Sequence, residues 1–116
     1  MPEESERLAR EHVDRFNAAV IGGDWSALVA TFHPDAVMEF AGPPVGRFVG
    51  REAIAAAYQA DPPDDTMRVR SVDAGLVAFE WSRGGTGTME IHRDGGLITR
   101  LLIRFDRPPG LSPTRA

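Results

Sequence analysis

The feature that most constrains the fold is a change in the spacing of apolar residues at Met67. Before Met67, apolar side chains recur every three or four residues, as they do on one face of a helix. After it they alternate with polar ones, in short runs separated by turn sequences near Ala74-Gly75, Gly84-Gly85 and residues 94–96. Such alternation between glycine-bearing turns is typical of antiparallel hairpins. The second half of the chain is therefore predicted to be a four-stranded meander, preceded by helices.

The start of the chain predicts two helices. Helical spacing of apolar residues runs through residues 4–21 and ends at a pair of glycines. Asp24 can cap a second helix, whose apolar residues lie at i, i+3, i+4 and i+7 within residues 25–33. Pro34 closes this second helix, because the residue before a proline disfavours helical backbone.

A short strand and a third helix are predicted next. Residues 35–40 alternate and favour a strand, and the proline- and glycine-rich residues 41–50 favour an irregular excursion. The alanine-rich residues 51–60 predict a helix that Asp61-Pro62-Pro63 breaks. The proline-rich tail, residues 107–116, is expected to be loose.

Loop lengths predict a register for the meander. Three-residue loops at 83–85 and 94–96 would set the cross-strand neighbours. The predicted neighbours are Met89 with Leu101, Ile91 with Thr99, Glu90 with Arg100, Trp81 with Gly87 and Phe79 with Met89. In this register the large apolar residues share one face of the sheet and the charged residues share the other.

The charged face is interpreted as structural. By parity it carries Glu80, Glu90, Arg100 and Arg104. Carboxylates interleaved with arginines favour ion pairs or a polar dimer interface over acid-base chemistry. Glu39 has the opposite parity to its neighbours in the first strand and is expected outside as well.

Missing residue types exclude several kinds of chemistry. The 116 residues contain no cysteine, and all 13 basic residues are arginines. Disulfides, thiolate nucleophiles and lysine Schiff bases are therefore excluded. His12, His33 and His92 form no metal-ligand motif, so neither a metal nor another cofactor is expected.

Charge and hydropathy give the expected setting. The net charge is −4 and the arginines are spread along the chain, which disfavours nucleic acid as a partner. No apolar run approaches the roughly 20 residues of a membrane-spanning helix. We expect one cytoplasmic domain over residues 1–116, ordered from about 5 to 106, with no membrane contact.

The order of local motifs resembles a known family. The segment GDWSALVATFHPDAVMEFAGPPVGRFVGREAIAAAYQ and the ending DGGLITRLLIRFD are similar to SnoaL-like proteins and ketosteroid isomerases. These belong to the nuclear transport factor 2-like superfamily, and the resemblance covers about residues 5–106. It implies an α+β, cone-shaped, barrel-like fold in which three N-terminal helices pack on a curved, mainly antiparallel (mixed) sheet. Many members pair as homodimers through the outer face of this sheet.

The resemblance also implies a conical pocket for a hydrophobic small molecule. Twelve apolar or aromatic residues would line it: Phe16, Val20, Met38, Phe40, Tyr58, Phe79, Trp81, Met89, Ile91, Leu101, Ile103 and Phe105. The same residues could simply fill the core, since burying each contributes roughly 1.5–3 kcal/mol.

The catalytic groups of the isomerases are not matched. The family places a tyrosine, a carboxylate base and a protonated aspartate at the positions of Phe16, Phe40 and Gly87. These three residues cannot transfer a proton, so steroid isomerisation by that mechanism is disfavoured. Tyr58 matches a pocket tyrosine of the isomerases and is the first candidate catalytic residue. His12, four residues before Phe16, is a weaker candidate for a general base.

Two functions remain open. One is an isomerase-, cyclase- or hydratase-like enzyme that shapes a polyketide- or terpenoid-like substrate, with Tyr58 polarising an oxygen. The other is a non-catalytic, dimeric ligand-binding or interaction domain. A polar side chain beside Tyr58 would favour the enzyme, and the candidates are His12, Asn17 and Glu39.

Overall fold

The structure, a computed structural model, describes residues 2–41, 46–60 and 62–105, with all of their side chains except those of residues 2, 3 and 105. The described residues form three helices: α1 (Pro2–Gly22), α2 (Ser26–Val29) and α3 (Arg51–Ala60). They also form six strands: β1 (Phe32–Ala41), β2 (Gly46–Val49), β3 (Met67–Asp73), β4 (Leu76–Trp81), β5 (Thr86–Asp94) and β6 (Leu97–Phe105).

The six strands make one mixed sheet in the order β2-β1-β6-β5-β4-β3. Strands β1 and β6 are parallel, and all other neighbours are antiparallel. Helix α1 packs against β3 and α3 packs against β1. The predicted α+β cone with helices on a mixed sheet is confirmed, although the sheet is open rather than closed.

Helix boundaries follow the local signals. The observed α3 coincides with the predicted residues 51–60, and α1 extends the predicted helix by two residues at its start and one at its end. Asp24 holds the first residue of α2, because its Oδ1 accepts a hydrogen bond from the Ser26 amide at 3.0 Å. Within the described part of the chain, no helix combines the length and hydropathy needed to cross a bilayer. The predicted breaker Asp61 and the tail 107–116 lie outside the described residues.

The second helix is shorter than predicted. It ends at Val29, and Phe32 begins strand β1 instead of closing the helix. The Thr31 hydroxyl donates to the Leu28 carbonyl at 2.6 Å, and the Ile98 amide donates to the Thr31 carbonyl at 2.9 Å. Pairing with β6 therefore extends the chain where local spacing favoured a helix. Phe32 is fully buried in the strand, and an apolar residue at this spacing fits a buried helix face equally well.

The first part of the sheet is longer than predicted. Strand β1 begins at Phe32 rather than at residue 35, with an irregularity before Val37 that accommodates Pro34. The predicted excursion over residues 41–50 contains strand β2, in which Phe48 lies opposite Met38. Residues 42–45 of that excursion lie outside the described residues.

The meander and its turns are confirmed, but its register is not. Two-residue turns with positive φ join β3 to β4, at Ala74 and Gly75, and β5 to β6, at Gly95 and Gly96. The second turn is one residue shorter than predicted, which shifts the register of β5 and β6 by one residue. A bulge between His92 and Arg93 shifts this register by one residue more. The loop between β4 and β5 lies one residue earlier than predicted, which shifts that register by two.

Each predicted cross-strand pair is therefore wrong by two residues. The observed neighbours are Met89 with Ile103, Ile91 with Leu101, Glu90 with Leu102, Phe79 with Gly87 and Val77 with Met89. Side chains alternate with a period of two, so a slip of two leaves every residue on its predicted face. The apolar concave face and the charged outer face are thus both as predicted.

The outer face carries ion pairs, though not the predicted pair of Glu90 and Arg100. Arg100 Nη2 instead lies 2.8 Å from Glu39 Oε1 on the neighbouring strand. Glu90 Oε1 lies 3.4 Å from the His92 ring, and Arg68 Nη2 lies 2.7 Å from Glu80 Oε1. Glu39 is on this outer face, as its parity predicted.

Candidate functional site

The predicted pocket residues divide by depth. The inner ones are packed core: Phe16, Met38, Tyr58, Phe79, Met89, Ile91 and Leu101 are all buried. The others remain partly buried: Val20, Phe40, Trp81 and Ile103. The side chain of Phe105 lies outside the described residues. A ligand on the concave face would therefore contact the partly buried group.

This partly buried group lies at one end of the sheet. Phe40 and Trp81 stand at or next to the last residues of β1 and β4, and Ile103 lies beside Phe40 near the end of β6. Phe48 of β2 joins them, with its ring 6.3 Å from that of Phe40 in an edge-to-face contact. Together with Val20 of α1 and the buried Tyr58, these residues are called the concave-face site.

A chain of aromatic contacts fixes Tyr58. Its ring is stacked on Trp25, with 4.6 Å between centroids and 5° between planes. Trp25 contacts Phe16 at 5.7 Å, and Phe16 contacts Trp81 at 6.1 Å. Trp81 in turn contacts Phe79 at 5.2 Å. Each such pair stabilises the fold by about 0.5–1.5 kcal/mol beyond the effect of the area that it buries. These aromatic rings are therefore held in place before any ligand binds.

The Tyr58 hydroxyl can donate a hydrogen bond to a ligand. Burial raises the pKa of Tyr58 above its ordinary value, so the hydroxyl keeps its proton at neutral pH. A tyrosine hydroxyl can donate to a ligand oxygen, so a carbonyl or ether oxygen is a natural acceptor here.

The isomerase positions carry no proton-transfer group. Phe16 and Phe40 are part of the apolar packing. Gly87 lies opposite Phe79, and a Cβ built on Gly87 would stand 2.7 Å from the Phe79 ring and 2.5 Å from the Arg104 carbonyl oxygen. The ring of Phe79 thus occupies the space that a side chain at this position would need.

Asn17 has a structural role. Its Nδ2 donates to the Met67 carbonyl at 2.8 Å, and the Met67 amide donates to its Oδ1 at 2.9 Å. This pair of hydrogen bonds ties α1 to the start of β3. Both polar ends of the amide are engaged, so the structure does not place Asn17 as a free catalytic group beside Tyr58.

Replacing Asn17 tests that assignment. Asn17→Ala should lower the free energy of unfolding by about 1–3 kcal/mol, because both backbone groups of Met67 lose their partner. Asn17→Asp should also destabilise at pH 7, since it sets a carboxylate against the Met67 carbonyl, and protonation at low pH should relieve part of that loss. Urea unfolding at pH 7 and pH 4 measures both. The exposed Ala18→Ser is the control, and equal stability of all variants would contradict the assignment.

Glu39 faces away from the concave side. It accepts hydrogen bonds from Arg100 Nε and Nη2, and Arg47 Nε lies 3.3 Å from its other oxygen. The hydrogen bond from Arg100 is the main cause that lowers the pKa of Glu39. An ionised carboxylate clamped between two arginines on the outer face cannot act as a base toward Tyr58.

His12 is buried, but in a different place. It is 3% exposed, and its ring meets Phe32 edge to face at 6.3 Å. It lines a cavity with Arg15 and Arg93 near the turn between β5 and β6, at the opposite end of the sheet from Trp81. The structure therefore does not bring the two candidate catalytic residues, Tyr58 and His12, into one site.

The sequence pattern does not identify Phe48 as a site residue or Trp25 as the residue that supports Tyr58. Trp25 was placed in a helix but not in the pocket, and Phe48 was placed in an irregular segment. The alternation of Arg47, Phe48 and Val49 was an available signal for β2. No local pattern, however, indicates that Trp25 stacks on Tyr58, since Trp25 precedes α2 whereas Tyr58 lies on α3. Among the described residues, no group of three acidic or histidine side chains could hold a metal ion.

Comparison with known proteins places the chain among similar folds. A family model described as a SnoaL-like domain matches residues 13–106. No curated protein matches the chain at a significant level.

Three solved structures illustrate the likeness. A SnoaL-like protein of unknown function from Burkholderia thailandensis is 17% identical, with a TM-score of 0.76, over 92% of this chain and 98% of that one. A candidate ketosteroid isomerase from Kribbella flavida is 21% identical, with a TM-score of 0.70, over 98% and 86%. A proposed polyketide cyclase from Sinorhizobium meliloti is 28% identical, with a TM-score of 0.58, over 80% and 93%. The first two are distant enough in sequence that they support the fold alone.

Proposed function

Because the chain belongs to the SnoaL-like domain family, we propose that it binds a hydrophobic, oxygen-bearing small molecule of polyketide or terpenoid type at the concave-face site. The observation that carries this proposal is Tyr58, a buried and protonated side chain whose hydroxyl can donate a hydrogen bond, in a core lined by partly buried apolar residues. Its ring is held by the stack on Trp25. Apolar walls with one fixed polar group are the usual composition of a small-molecule site.

The remaining contacts define what such a ligand offers. Val20, Phe40, Phe48, Trp81 and Ile103 are partly buried and pack against the core that contains Tyr58. They would cover an alicyclic or aromatic skeleton, and the ligand would direct a carbonyl or ether oxygen toward Tyr58. The hydroxyl then contributes specificity for oxygen, while the apolar walls contribute most of the affinity.

A pair of ligands that differ in one oxygen tests the proposal. Trp81 lies at the site and reports binding through its fluorescence. Titration with menthone should give saturable quenching, and Tyr58→Phe should weaken menthone binding about tenfold, because the hydrogen bond is lost while the ring is kept. Binding of p-menthane, which has no oxygen, should be the same for both proteins. Equal loss for both ligands, or no saturable binding of either, would overturn the proposal.

Catalysis is the second candidate. It is favoured by the proposed polyketide cyclase from Sinorhizobium meliloti, which is 28% identical to this chain. Against proton transfer by the isomerase route stand Gly87, which Phe79 covers, and Glu39, which lies outside. We expect no turnover of a β,γ-unsaturated ketosteroid above the buffer rate, measured by absorbance of the conjugated product. Turnover that Tyr58→Phe abolishes would replace the binding-only function with an enzymatic one.

We also propose a homodimer through the outer face of the sheet. Leu102 is only 8% exposed at the centre of this face, between its strand neighbours Glu39 and Glu90. Leu76 adds apolar area at the rim. Light scattering after size exclusion should give twice the chain mass, and Leu102→Arg should give a monomer. Ile21→Arg, at a helix residue that is 80% exposed, is the control. A wild-type monomer would contradict the dimer and leave the ligand site unaffected.

A further inference from the structure

A cavity lies at the end of the sheet opposite the concave-face site. It has a volume of about 270 Å³, between the first half of α1, the segment after α2 and the turn from β5 to β6. Its lining combines apolar walls with three charged residues and one histidine: Leu8, Glu11, His12, Arg15, Ala30, Thr31, Arg93, Gly96, Leu97 and Ile98. Nothing in the proposed function of the chain uses this cavity.

The charges around the cavity favour an anion. Arg93 and Arg15 supply two positive charges, and Glu11 supplies one negative charge, so the lining carries a net charge of about +1. The Glu11 carboxylate pairs with two arginines, because it lies 2.9 Å from Arg7 Nη1 and 4.0 Å from Arg15 Nη1. A local positive charge stands out in a chain whose net charge is −4.

Arg93 is held in place for such a ligand. It is partly buried and donates one hydrogen bond, from Nη2 to the Leu8 carbonyl at 3.2 Å. A guanidinium has five N–H donors, so most of those on Arg93 are not committed by this bond. Burial is the main cause that lowers the pKa of Arg93, while Glu11 opposes the shift and Arg15 adds to it. Two neighbouring guanidinium groups repel each other, and an anion between them would relieve that repulsion.

His12 adds an independent indication. It is almost fully buried, and its Nδ1 has no hydrogen-bond partner. Buried polar atoms without partners are rare and call for an explanation such as a ligand that is bound in the working protein. Burial, followed by Arg93 and Arg15, lowers the pKa of His12 to about 4, so the ring is neutral at pH 7. A neutral imidazole offers one N–H donor and one acceptor nitrogen.

We propose that this cavity binds the carboxylate of a small aliphatic acid, with Arg93 and Arg15 on the carboxylate and Leu8, Leu97 and Ile98 around the aliphatic part. One negative charge balances the net charge of the lining, which favours a monocarboxylate over a phosphate dianion. His12 closes the inner wall and is available to an acid oxygen. The inference is independent of the concave-face site, because the two sites lie at opposite ends of the sheet.

Titration with hexanoate tests this proposal directly. The full chain, labelled with ¹⁵N, is titrated with sodium hexanoate at pH 7, and the imidazole signals of His12 and the Nε signal of Arg93 are followed by NMR. Both should shift saturably, whereas the half-buried His33 and the exposed His92, which lie outside the cavity, should not follow the same curve. Hexanol and sodium chloride are the controls. Hexanol has the alkyl chain without the negative charge, and chloride has the negative charge without the alkyl chain. Equal shifts with chloride, or no saturable shift with hexanoate, would overturn the proposal.

Variants locate the site. Arg93→Gln should weaken hexanoate binding about tenfold, and the more exposed Arg15→Gln should weaken it about threefold. Arg10→Gln is the matched control, because Arg10 lies on the same helix and pairs with Glu6 outside the cavity. If Arg93→Gln does not fold, Arg15→Gln still decides the question. A loss that is the same in Arg10→Gln and Arg15→Gln would overturn the proposal.

Discussion

Lowering the pH from 7 to 5 should reduce the free energy of unfolding by about 2 kcal/mol through His12 alone. The pKa of His12 is lowered from 6.5 to about 4 in the folded chain, mainly by burial and further by Arg93 and Arg15. Between these two pKa values the unfolded chain binds a proton that the folded chain does not. Stability is therefore complete above pH 6.5 and is lost as the pH falls toward 4, below which His12 causes no further loss.

Urea unfolding at pH 7, 6 and 5 in a carboxylate-free buffer measures this effect. His12→Phe should remove the dependence in this window, because phenylalanine has no group to protonate and can keep the edge-to-face contact with Phe32. His92→Gln, at an exposed histidine, should keep it. Hydrogen bonds from arginine lower the pKa values of Glu39 and Glu80. The contribution of these carboxylates to the free energy of unfolding is therefore lost only as the pH falls below their unfolded pKa of 4.5. A pH dependence that survives in His12→Phe would contradict the assignment to His12.

Replacing Gly87 should be among the most destabilising changes in the sheet. The Cβ of Gly87→Ala would stand 2.5 Å from the backbone oxygen of Arg104 and 2.7 Å from the ring of Phe79. Neither neighbour can yield easily, since one is backbone and the other is a fully buried ring. We expect a loss of about 3 kcal/mol in the free energy of unfolding. Gly22→Ala is the matched control, because nothing lies within 4 Å of its Cβ position.

The same geometry bears on function. Gly87 occupies the position at which the resemblance to ketosteroid isomerases implies a protonated aspartate. Gly87→Asp should be less stable than Gly87→Ala, because it adds the burial of a carboxyl group to the same steric conflict. A Gly87→Asp protein that folds with wild-type stability, measured by urea unfolding, would show that the Phe79 ring does not fill this space.

The difference between the predicted and the observed register shows which features of a β meander can be predicted from its residues. Alternation places Met89 and Ile91 on one face and Glu90 on the other, and the structure agrees. The pairing partners were wrong because they depend on the exact turn and on a bulge at His92 and Arg93. Glycine-rich segments allow several turns of similar energy, so local sequence does not choose among them.

The predicted end of the second helix was wrong for a related reason. Phe32 continues the apolar spacing of α2, and only the pairing of β1 with β6 makes this residue extended. The partner residue Ile98 lies 66 positions further along the chain, so no local window contains both residues. Strand β2 was missed similarly, since its pairing with β1 and not its short sequence makes it a strand.

The candidate site divides in the same way. The family resemblance names Tyr58 and the apolar walls as a candidate site, and strand parity assigns the strand residues among them to one face of the sheet. The stack of Trp25 on Tyr58, the use of Asn17 by Met67 and the position of His12 beside Arg93 could not be predicted. Each joins elements that are distant along the chain.

Local pattern was sufficient for the succession of helices and a meander, for most helix boundaries and for the face on which each strand residue lies. These properties depend on the rotation per residue of helices and strands, which is the same at every position of the chain. Cross-strand partners, the lowered pKa of His12 and the placement of Trp81 and His12 at opposite ends of the sheet were set by the tertiary structure. They depend on distances and burial that exist only after remote segments have packed together.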